Sequence, residues 1–187
     1  IATNRNDILA RLMASGDYQV TGVMPTVSPS MDIQVSSNFE RLLFDLMGRD
    51  GVAIAGLMND LKTTGQFSVS ENVLAQAQGL FCAGTVDEAG TLAVIAQEWQ
   101  RTGVLVDPHT AVGICAGRAH KPDGVPLVHL ATAHPAKFPD AVEKATGVRP
   151  ALPARLADLT TREERFDVVA NDLGAIQAFV AERARAA

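Results

Sequence analysis

The chain has 187 residues, 47% of them hydrophobic, and a formal net charge of −5. This length is typical of one domain, and this apolar share is enough for a buried core. The negative net charge gives no electrostatic support for nucleic-acid binding. No apolar run is long enough to cross a bilayer, and the first residues do not resemble a signal peptide. We therefore expect neither a nucleic acid nor a membrane as a partner.

The first part of the sequence predicts helices joined by short extended segments. Apolar spacing indicates a helix that begins near Asp7 and ends at Gly16. A capping box, in which Ser37 is followed three residues later by Glu40, predicts the start of a second helix. The other elements expected here are an extended segment at 18–27, a helix at 52–62, a short strand at 67–70 and a helix at 72–81.

The second part predicts helices that alternate with buried strands. A second capping box, from Thr85 to Glu88, marks a helix start, and Thr102-Gly103 marks its end. Val104–Val106 and Pro126–Leu130 are continuous apolar runs, which are typical of strands buried in a parallel sheet. The remaining helices are expected at 111–119, at 138–145 and from about Thr161 to the end of the chain.

This order of elements predicts an α/β fold, specifically a helix-rich, three-layer fragment with a short, mostly parallel sheet. Few strands accompany many helices, which favours a piece of a larger α/β enzyme over a complete doubly wound domain. The chain also begins at Ile1 and not at Met, as if in the middle of an element. Cys82 and Cys115 lie among small or apolar residues and are expected to be buried, reduced thiols of a cytoplasmic protein.

Polar side chains follow both predicted strands of the second part. His109 and Thr110 come after the first strand, and Thr132 comes after the second. Ligands of open α/β sheets bind at the carboxyl ends of the strands, which makes these three residues candidates for a binding site. The alternative is structural: Thr132 simply ends a strand, and the turn at Asp107-Pro108 caps the next helix. The residues alone leave both interpretations open.

A second polar segment runs from Ser28 to Arg41 into the start of a predicted helix. Free N–H groups and a partial positive charge at such a start suit a phosphate or carboxylate, so Ser37 and Asn38 are candidates. Arg41 offers a bidentate contact, or it pairs with Glu40, Asp45 or solvent. A metal site is disfavoured, because the four histidines form no HExxH motif and the cysteines form no paired CxxC motif.

Four segments in order resemble the threonine synthases, which are pyridoxal-phosphate (PLP) enzymes of fold type II, related in fold to the tryptophan synthase β subunit. Because all four occur in the family's order, the resemblance is more specific than any single motif. It implies that residues 1–187 are the C-terminal part of the PLP-dependent catalytic domain. The segments are Ile1-Ala-Thr-Asn-Arg-Asn-Asp7, Ser28-Pro-Ser-Met-Asp-Ile with Ser36-Ser-Asn-Phe-Glu-Arg-Leu-Leu43, Asp107-Pro-His-Thr-Ala-Val-Gly113, and Thr132-Ala-His-Pro-Ala-Lys-Phe138.

The resemblance also implies roles for particular residues. In the family, the threonine that corresponds to Thr132 lies beside the pyridine nitrogen of PLP and leaves that nitrogen neutral. His109 and Thr110 are expected to face the cofactor. The substrate-binding candidates are Ser37, Asn38, Arg41 and Asn4.

The family converts O-phospho-L-homoserine and water to L-threonine and phosphate, the reaction of a carbon–oxygen lyase that acts on a phosphate ester. By the resemblance, the Schiff-base lysine and the phosphate-binding loop lie upstream of this chain, so no catalytic residue is expected within it. We therefore expect the chain alone to be inactive, not to bind PLP by itself, and to have the N-terminal part of the same protein as its partner. Two alternatives are another fold type II PLP lyase, such as a threonine dehydratase, and a non-catalytic binding module.

Overall fold

The structure, a computed structural model, describes residues 1–121 and 123–184. The chain divides into two compact units, one from Ile1 to Ala151 and one that begins at Leu152. The second unit contains two 3₁₀ turns and the helix α8 (Leu173–Arg183). The elements of the first unit are β1 (Ala2–Thr3), α1 (Ile8–Ser15), β2 (Asp17–Gln19), α2 (Phe39–Leu46), α3 (Gly51–Thr64), β3 (Gln66–Ser68), α4 (Glu71–Leu80), β4 (Gly84–Thr85), α5 (Glu88–Thr102), α6 (Pro108–Ala119) and α7 (Pro139–Thr146).

The described strands form two short sheets of two strands each. β1 pairs in parallel with β4, so that Thr3 lies opposite Thr85. Their hydroxyl oxygens are 3.1 Å apart, which adds a side-chain bond to the pair. β2 and β3 pair in antiparallel fashion, with Tyr18 opposite Phe67. The result is a helix-rich α/β fold with a short parallel sheet, in agreement with the predicted class.

The first hydrophobic core lies between α1, α2, α3, α4 and the β2–β3 sheet. The ring of Tyr18 stacks on Phe67 with the centroids 4.7 Å apart. The Tyr18 hydroxyl accepts a hydrogen bond from the Ser36 N–H (2.8 Å) and donates one to the Gln34 carbonyl (3.3 Å), which fixes the loop before α2. Burial raises the pKa of Tyr18, and the bond from Ser36 opposes that rise. The buried members of this core are Ile8, Leu12, Tyr18, Phe39, Leu43, Ile54, Phe67 and Val73.

The second core lies between α5, α6 and α7. A buried carboxylate reinforces it, because Glu98 on α5 accepts hydrogen bonds from Arg101 (2.6 Å) and from Arg118 on α6. These two bonds, the one from Arg101 first, lower the pKa of Glu98 below its ordinary value. The buried apolar members are Val94, Ile95, Ala111, Ile114 and Val142.

The two strands predicted in the second part are wrong. Neither Val104–Val106 nor Pro126–Leu130 forms a strand, and both are extended coil. The second run is not buried either, since Val128 is 81% exposed and Leu130 is 79% exposed. A strand needs a neighbour to complete its backbone hydrogen bonds, and no segment among residues 1–121 and 123–184 pairs with either run. The parallel pair is built instead from β1 and β4.

Both predicted capping boxes are wrong in detail, although each helix exists. α2 begins at Phe39, and its N-cap residue Asn38 has a helical backbone conformation and makes no side-chain cap bond. α5 is capped by Asp87, whose carboxylate accepts from the Gly90 N–H at 2.8 Å. Thr85 is unavailable for capping because it belongs to β4. The aspartate lies closer to the first free N–H groups of α5, which explains why it replaces the threonine.

The predicted helix ends at glycine are confirmed for α1 and α5. Gly16 (φ +83°) and Gly103 (φ +69°) adopt the left-handed conformation that ends a helix at little cost for glycine. The last helix, in contrast, begins at Leu173 and not near Thr161, where only a 3₁₀ turn occurs. Its predicted run to the chain end includes residues 185–187, which lie outside the described residues.

The cysteines differ from expectation in burial. Both thiols are free, but Cys82 is exposed and Cys115 is only half-buried. Cys82 lies between the end of α4 and β4, where the chain runs along the surface. Within the part of the chain that the structure describes, no helix is long and apolar enough to cross a membrane.

We predict that Glu98→Gln lowers the free energy of unfolding at neutral pH by about 1 kcal/mol, because two charge-assisted hydrogen bonds are weakened at partly exposed arginines. A lowered pKa means that the carboxylate contributes stability above its ordinary value of 4.5 and loses it as the pH falls through the folded-state value. Urea unfolding of both forms should therefore converge below that pH. Glu88→Gln is the control, since its bond to Lys144 is exposed and should contribute almost nothing. A constant difference between Glu98→Gln and the unaltered protein from neutral to acid pH would contradict the electrostatic explanation.

Candidate functional site

The turn that starts α6 contains a fully buried carboxylate. Asp107 is the N-cap residue of α6, and Pro108 begins the helix. The first carboxylate oxygen accepts from the His109 N–H (2.9 Å), from His109 Nδ1 (2.9 Å) and from the Thr110 N–H (3.4 Å). The second oxygen accepts the Thr110 hydroxyl proton. One carboxylate therefore orients both polar side chains that follow it.

His109 is held in one tautomer by its two neighbours. Its Nε2 atom accepts the backbone N–H of Ser30 at 3.0 Å, and a backbone N–H can only donate. Nε2 is therefore unprotonated, and the proton lies on Nδ1, where it faces Asp107. The imidazole is neutral and packs against Phe138 with ring centroids 4.4 Å apart. This arrangement joins α6 to the loop at residues 28–32.

Thr110 and Thr132 meet at the other side of Asp107. The Thr132 N–H donates to the Thr110 hydroxyl oxygen at 3.0 Å, and the two hydroxyl oxygens are 3.5 Å apart. Because Thr110 gives its own proton to Asp107, it acts only as an acceptor toward Thr132. The Thr132 hydroxyl thus keeps its proton for Thr110 or for a ligand, and Thr132 is exposed.

His109 and Thr132 line a hollow of about 560 Å³. Thr110 is buried and is not part of its lining, so it contacts the hollow only through Thr132. Two glycines of α6, Gly113 and Gly117, form part of its wall. A Cβ atom at Gly113 would meet no other atom within 4 Å, whereas one at Gly117 would lie 2.7 Å from Cε1 of His129. The open surface at Gly113, in the same hollow as a hydroxyl group, suits a planar ring with a polar edge. The hollow is lined in addition by Ser30, Met31, His109, Thr132 and Lys137, among others.

Asn4 lies in a buried polar network behind this hollow. Its amide donates to Ser28 Oγ (2.9 Å) and to Asp32 Oδ1 (2.8 Å), and its oxygen accepts from the Asn6 N–H (2.8 Å). Asp32 also accepts from the N–H and the hydroxyl of Thr26. The side chain of Asn4 therefore holds the loop that carries Ser28, and its polar atoms are used within the protein.

Ser37, Asn38 and Arg41 lie elsewhere on the first unit. All three are exposed, and Ser37 and Arg41 line an open hollow of about 780 Å³ between α2 and α3. That hollow shares no lining residue with the one beside Thr132. The structure thus brings Thr132, His109 and Thr110 together. It keeps Ser37 and Arg41 in a different hollow, and Asn38 lines neither of the two.

Sequence reasoning missed several residues of the site. Asp107 was seen only as a possible cap, although an aspartate two and three residues before polar side chains is a signal for a shared carboxylate. Ser30 contributes its backbone N–H, which no residue type reveals. Gly113 and Gly117 are four residues apart on one helix face, a spacing that could have indicated a flat wall.

Among residues 1–121 and 123–184, no three His, Cys, Asp or Glu side chains converge on a point where a metal ion would fit.

Comparisons of the sequence and of the fold with known proteins all find similarity to the same family of proteins. The family model described as "Threonine synthase, C-terminal" matches residues 110–180. The threonine synthase of Pseudomonas aeruginosa is 51% identical over 97% of this chain and 39% of its own length. Two crystal structures share the fold. PLP-bound threonine synthase from Brucella melitensis is 50% identical (TM-score 0.84, covering 100% of this chain and 40% of its own), and the yeast enzyme is 33% identical (TM-score 0.80, covering 97% and 41%).

The fold is therefore that of the fold type II PLP enzymes, as predicted. More specifically, the chain is similar in sequence and in fold to the C-terminal portion of the threonine synthases, which confirms the resemblance first seen in the four motifs. It spans about 39% of the length of the first relatives that it matches.

The residues around the hollow fit one side of PLP. The cofactor is planar and has a ring nitrogen that accepts or donates one hydrogen bond. Thr132 offers an exposed hydroxyl at the rim of the hollow, and Gly113 leaves open space beside it. Every buried side-chain N or O atom among the described residues already has a hydrogen-bond partner. The contacts to a ligand thus fall to the exposed groups, and Thr132 is the hydroxyl best placed among the predicted residues.

We predict that Asn4→Ala lowers the free energy of unfolding by about 1–3 kcal/mol, since it leaves Asp32 and Ser28 short of buried partners. Thermal or urea unfolding measures this loss. Asn38→Ala is the matched control, because the exposed amide of Asn38 caps nothing and should change stability by less than about 0.5 kcal/mol. Equal stability of the two variants would show that the buried network does not hold this loop.

Proposed function

We propose that this chain forms the C-terminal part of the catalytic domain of a PLP-dependent threonine synthase. The proposed reaction converts O-phospho-L-homoserine and water to L-threonine and phosphate, as a carbon–oxygen lyase acting on a phosphate ester. The proposal includes an N-terminal part of the same protein that provides the lysine for covalent attachment of PLP, and a cytoplasmic location. The observation that carries it is that the Thr132 hydroxyl and the open surface at Gly113 line the same hollow.

PLP, when bound, would supply electron withdrawal from carbanions at the α and β carbons of the substrate. This chain's residues would set the environment of the ring. The Thr132 hydroxyl would hydrogen-bond the ring nitrogen without placing a formal charge beside it, which favours the neutral nitrogen. His109 is neutral in its tautomer and its Nε2 atom is used by Ser30, so it would act as an uncharged wall and not as a proton donor.

The proposed substrate contacts are Ser37, Asn38 and Arg41. Arg41 makes no ion pair with any described residue and lines the hollow between α2 and α3 together with Ser37. A guanidinium group beside hydroxyl and amide groups suits a phosphate or carboxylate. Asn4 stays in the proposed site through the loop that it holds, since its polar atoms bond within the protein.

We predict that Thr132→Val in the complete protein lowers kcat/KM by at least about tenfold, because the ring nitrogen loses its hydrogen-bond partner. The assay follows release of phosphate and formation of threonine from O-phospho-L-homoserine with added PLP. Thr132→Ser, which keeps the hydroxyl, should retain most of the activity. Since Thr132 is exposed, the melting temperature of the valine variant should change little.

The outcomes of that assay separate the hypotheses. Unchanged activity of Thr132→Val would remove Thr132 from the site and keep the reaction. An inactive complete protein would favour a different PLP lyase, such as a threonine dehydratase, or a module without chemistry. The isolated chain of 187 residues should release no phosphate, and a rate near that of the complete protein would contradict the proposed division between its two parts.

We predict that Arg41→Ala in the complete protein raises KM for the phosphorylated substrate about tenfold or more and changes kcat less, because a charge-assisted contact to bound substrate is lost. Steady-state kinetics over a range of substrate concentrations measure both constants. Arg49→Ala is the matched control: it removes an exposed guanidinium that pairs with Asp45. An identical KM in Arg41→Ala and the unaltered protein would exclude Arg41 from substrate binding.

A further inference from the structure

We propose that Asp107 is a positioning residue that holds both sides of the hollow. It fixes Thr132 on one side through Thr110, and it fixes the loop at Ser30 on the other side through His109. The inference deepens the proposed function and rests on it, since it assigns the residue that sets the place of the hydroxyl beside the cofactor ring. It assigns to Asp107 no contact with cofactor or substrate.

The burial and the hydrogen bonds of the Asp107 carboxylate suit a positioning role. Its side chain is fully buried, and both oxygens accept hydrogen bonds, four in all, from His109 and Thr110. Bonds to a charged acceptor are stronger than bonds between neutral groups, and the buried position screens them little. A simple cap would use only the backbone N–H groups. Here the carboxylate also binds two side chains, and each of these contacts a different segment.

The contact from Thr110 anchors the segment before Thr132, which makes few other hydrogen bonds. The run at 123–131 is coil, and its apolar side chains are largely exposed. Among the described residues, the Thr132 N–H is the only backbone N–H of the run at 126–133 that donates a hydrogen bond, and it donates to Thr110 Oγ1. Thr110 can accept this bond in a fixed direction because its own proton faces Asp107. The position of Thr132 therefore depends on Asp107 indirectly, through the hydroxyl group of Thr110.

The contact from His109 anchors the loop at Ser30, on the other side of the hollow. With its Nδ1 proton held by Asp107, His109 presents the lone pair of Nε2 to the Ser30 N–H. Ser30 and Thr132 both line the hollow. An amide at position 107 cannot replace the carboxylate, because it offers one acceptor oxygen and one NH₂ group. Either the Thr110 hydroxyl or the histidine would then face a donor in place of an acceptor.

The test is amide hydrogen exchange at Thr132 and Ser30, measured in the complete protein without PLP, followed by titration with PLP. Thr110→Val should speed exchange at Thr132 by about tenfold and weaken PLP binding by a similar factor, whereas Thr110→Ser should restore both. His109→Phe should speed exchange at Ser30 and leave Thr132 unchanged. Asp107→Asn should speed exchange at one of the two amides at least, since its side chain keeps a single acceptor oxygen. Asp87→Asn is the control for loss of charge at a helix N-cap, since Asp87 caps α5 with one bond and its substitution should affect neither amide.

Two results would overturn the inference. One is unchanged exchange at Thr132 and Ser30 in a folded Asp107→Asn variant. The other is faster exchange at Thr132 in Thr110→Val with no loss of PLP affinity, which would reduce Asp107 to a cap. If Asp107→Asn does not fold, the exchange rates of Thr110→Val and His109→Phe test the inference in its place. A complete protein that binds no PLP would instead defeat the proposed function, and the exchange data would still report whether Asp107 fixes the two segments.

Discussion

The buried carboxylate of Asp107 is the interaction on which the rest of the site depends. Isolated charges are costly to bury, and this one is tolerated because each of its oxygens accepts a hydrogen bond from a defined donor. The same bonds set the tautomer of His109 and the direction of the Thr110 hydroxyl. A single charge thus determines where protons lie on two neighbouring side chains. The backbone N–H groups of Thr132 and Ser30 donate to the acceptor atoms that these proton positions leave free.

A second constraint is the narrow space between α6 and the segment after it. Glycine at 117 lets His129 approach closely, since a Cβ atom there would lie 2.7 Å from its ring. Gly113 leaves the next part of the wall open. The helix itself is held in place from behind, where Arg118 donates to the buried Glu98 on α5. The geometry of the hollow therefore rests on two buried carboxylates, one at the start of α6 and one beside its last turn.

The sequence predicted the helices well because their signals are local. Apolar spacing and a helix-ending glycine predicted α1, and similar patterns predicted α5 and α6. Strands depend on partners that are distant in sequence, which is why Val104–Val106 and Pro126–Leu130 were assigned wrongly and the two-residue strand β4 was missed. The capping box predicted for α5 failed because Asp87 caps that helix in place of Thr85. For the candidate site, motif resemblance made Thr132 a candidate, but only the folded structure reveals a backbone N–H donor such as that of Ser30.

The exposed run before Thr132 is consistent with the proposed division of the protein. Val128 and Leu130 alternate with less exposed residues and are apolar enough for a buried strand, yet their backbone groups have no strand partner among the described residues. Under the proposal, the N-terminal part adds that partner and covers these side chains. The end of the run is nevertheless already fixed, because Thr132 bonds to Thr110 within this chain. The ring-nitrogen contact would then be preorganised by α6, and assembly of the two parts would complete a site whose polar end is in place.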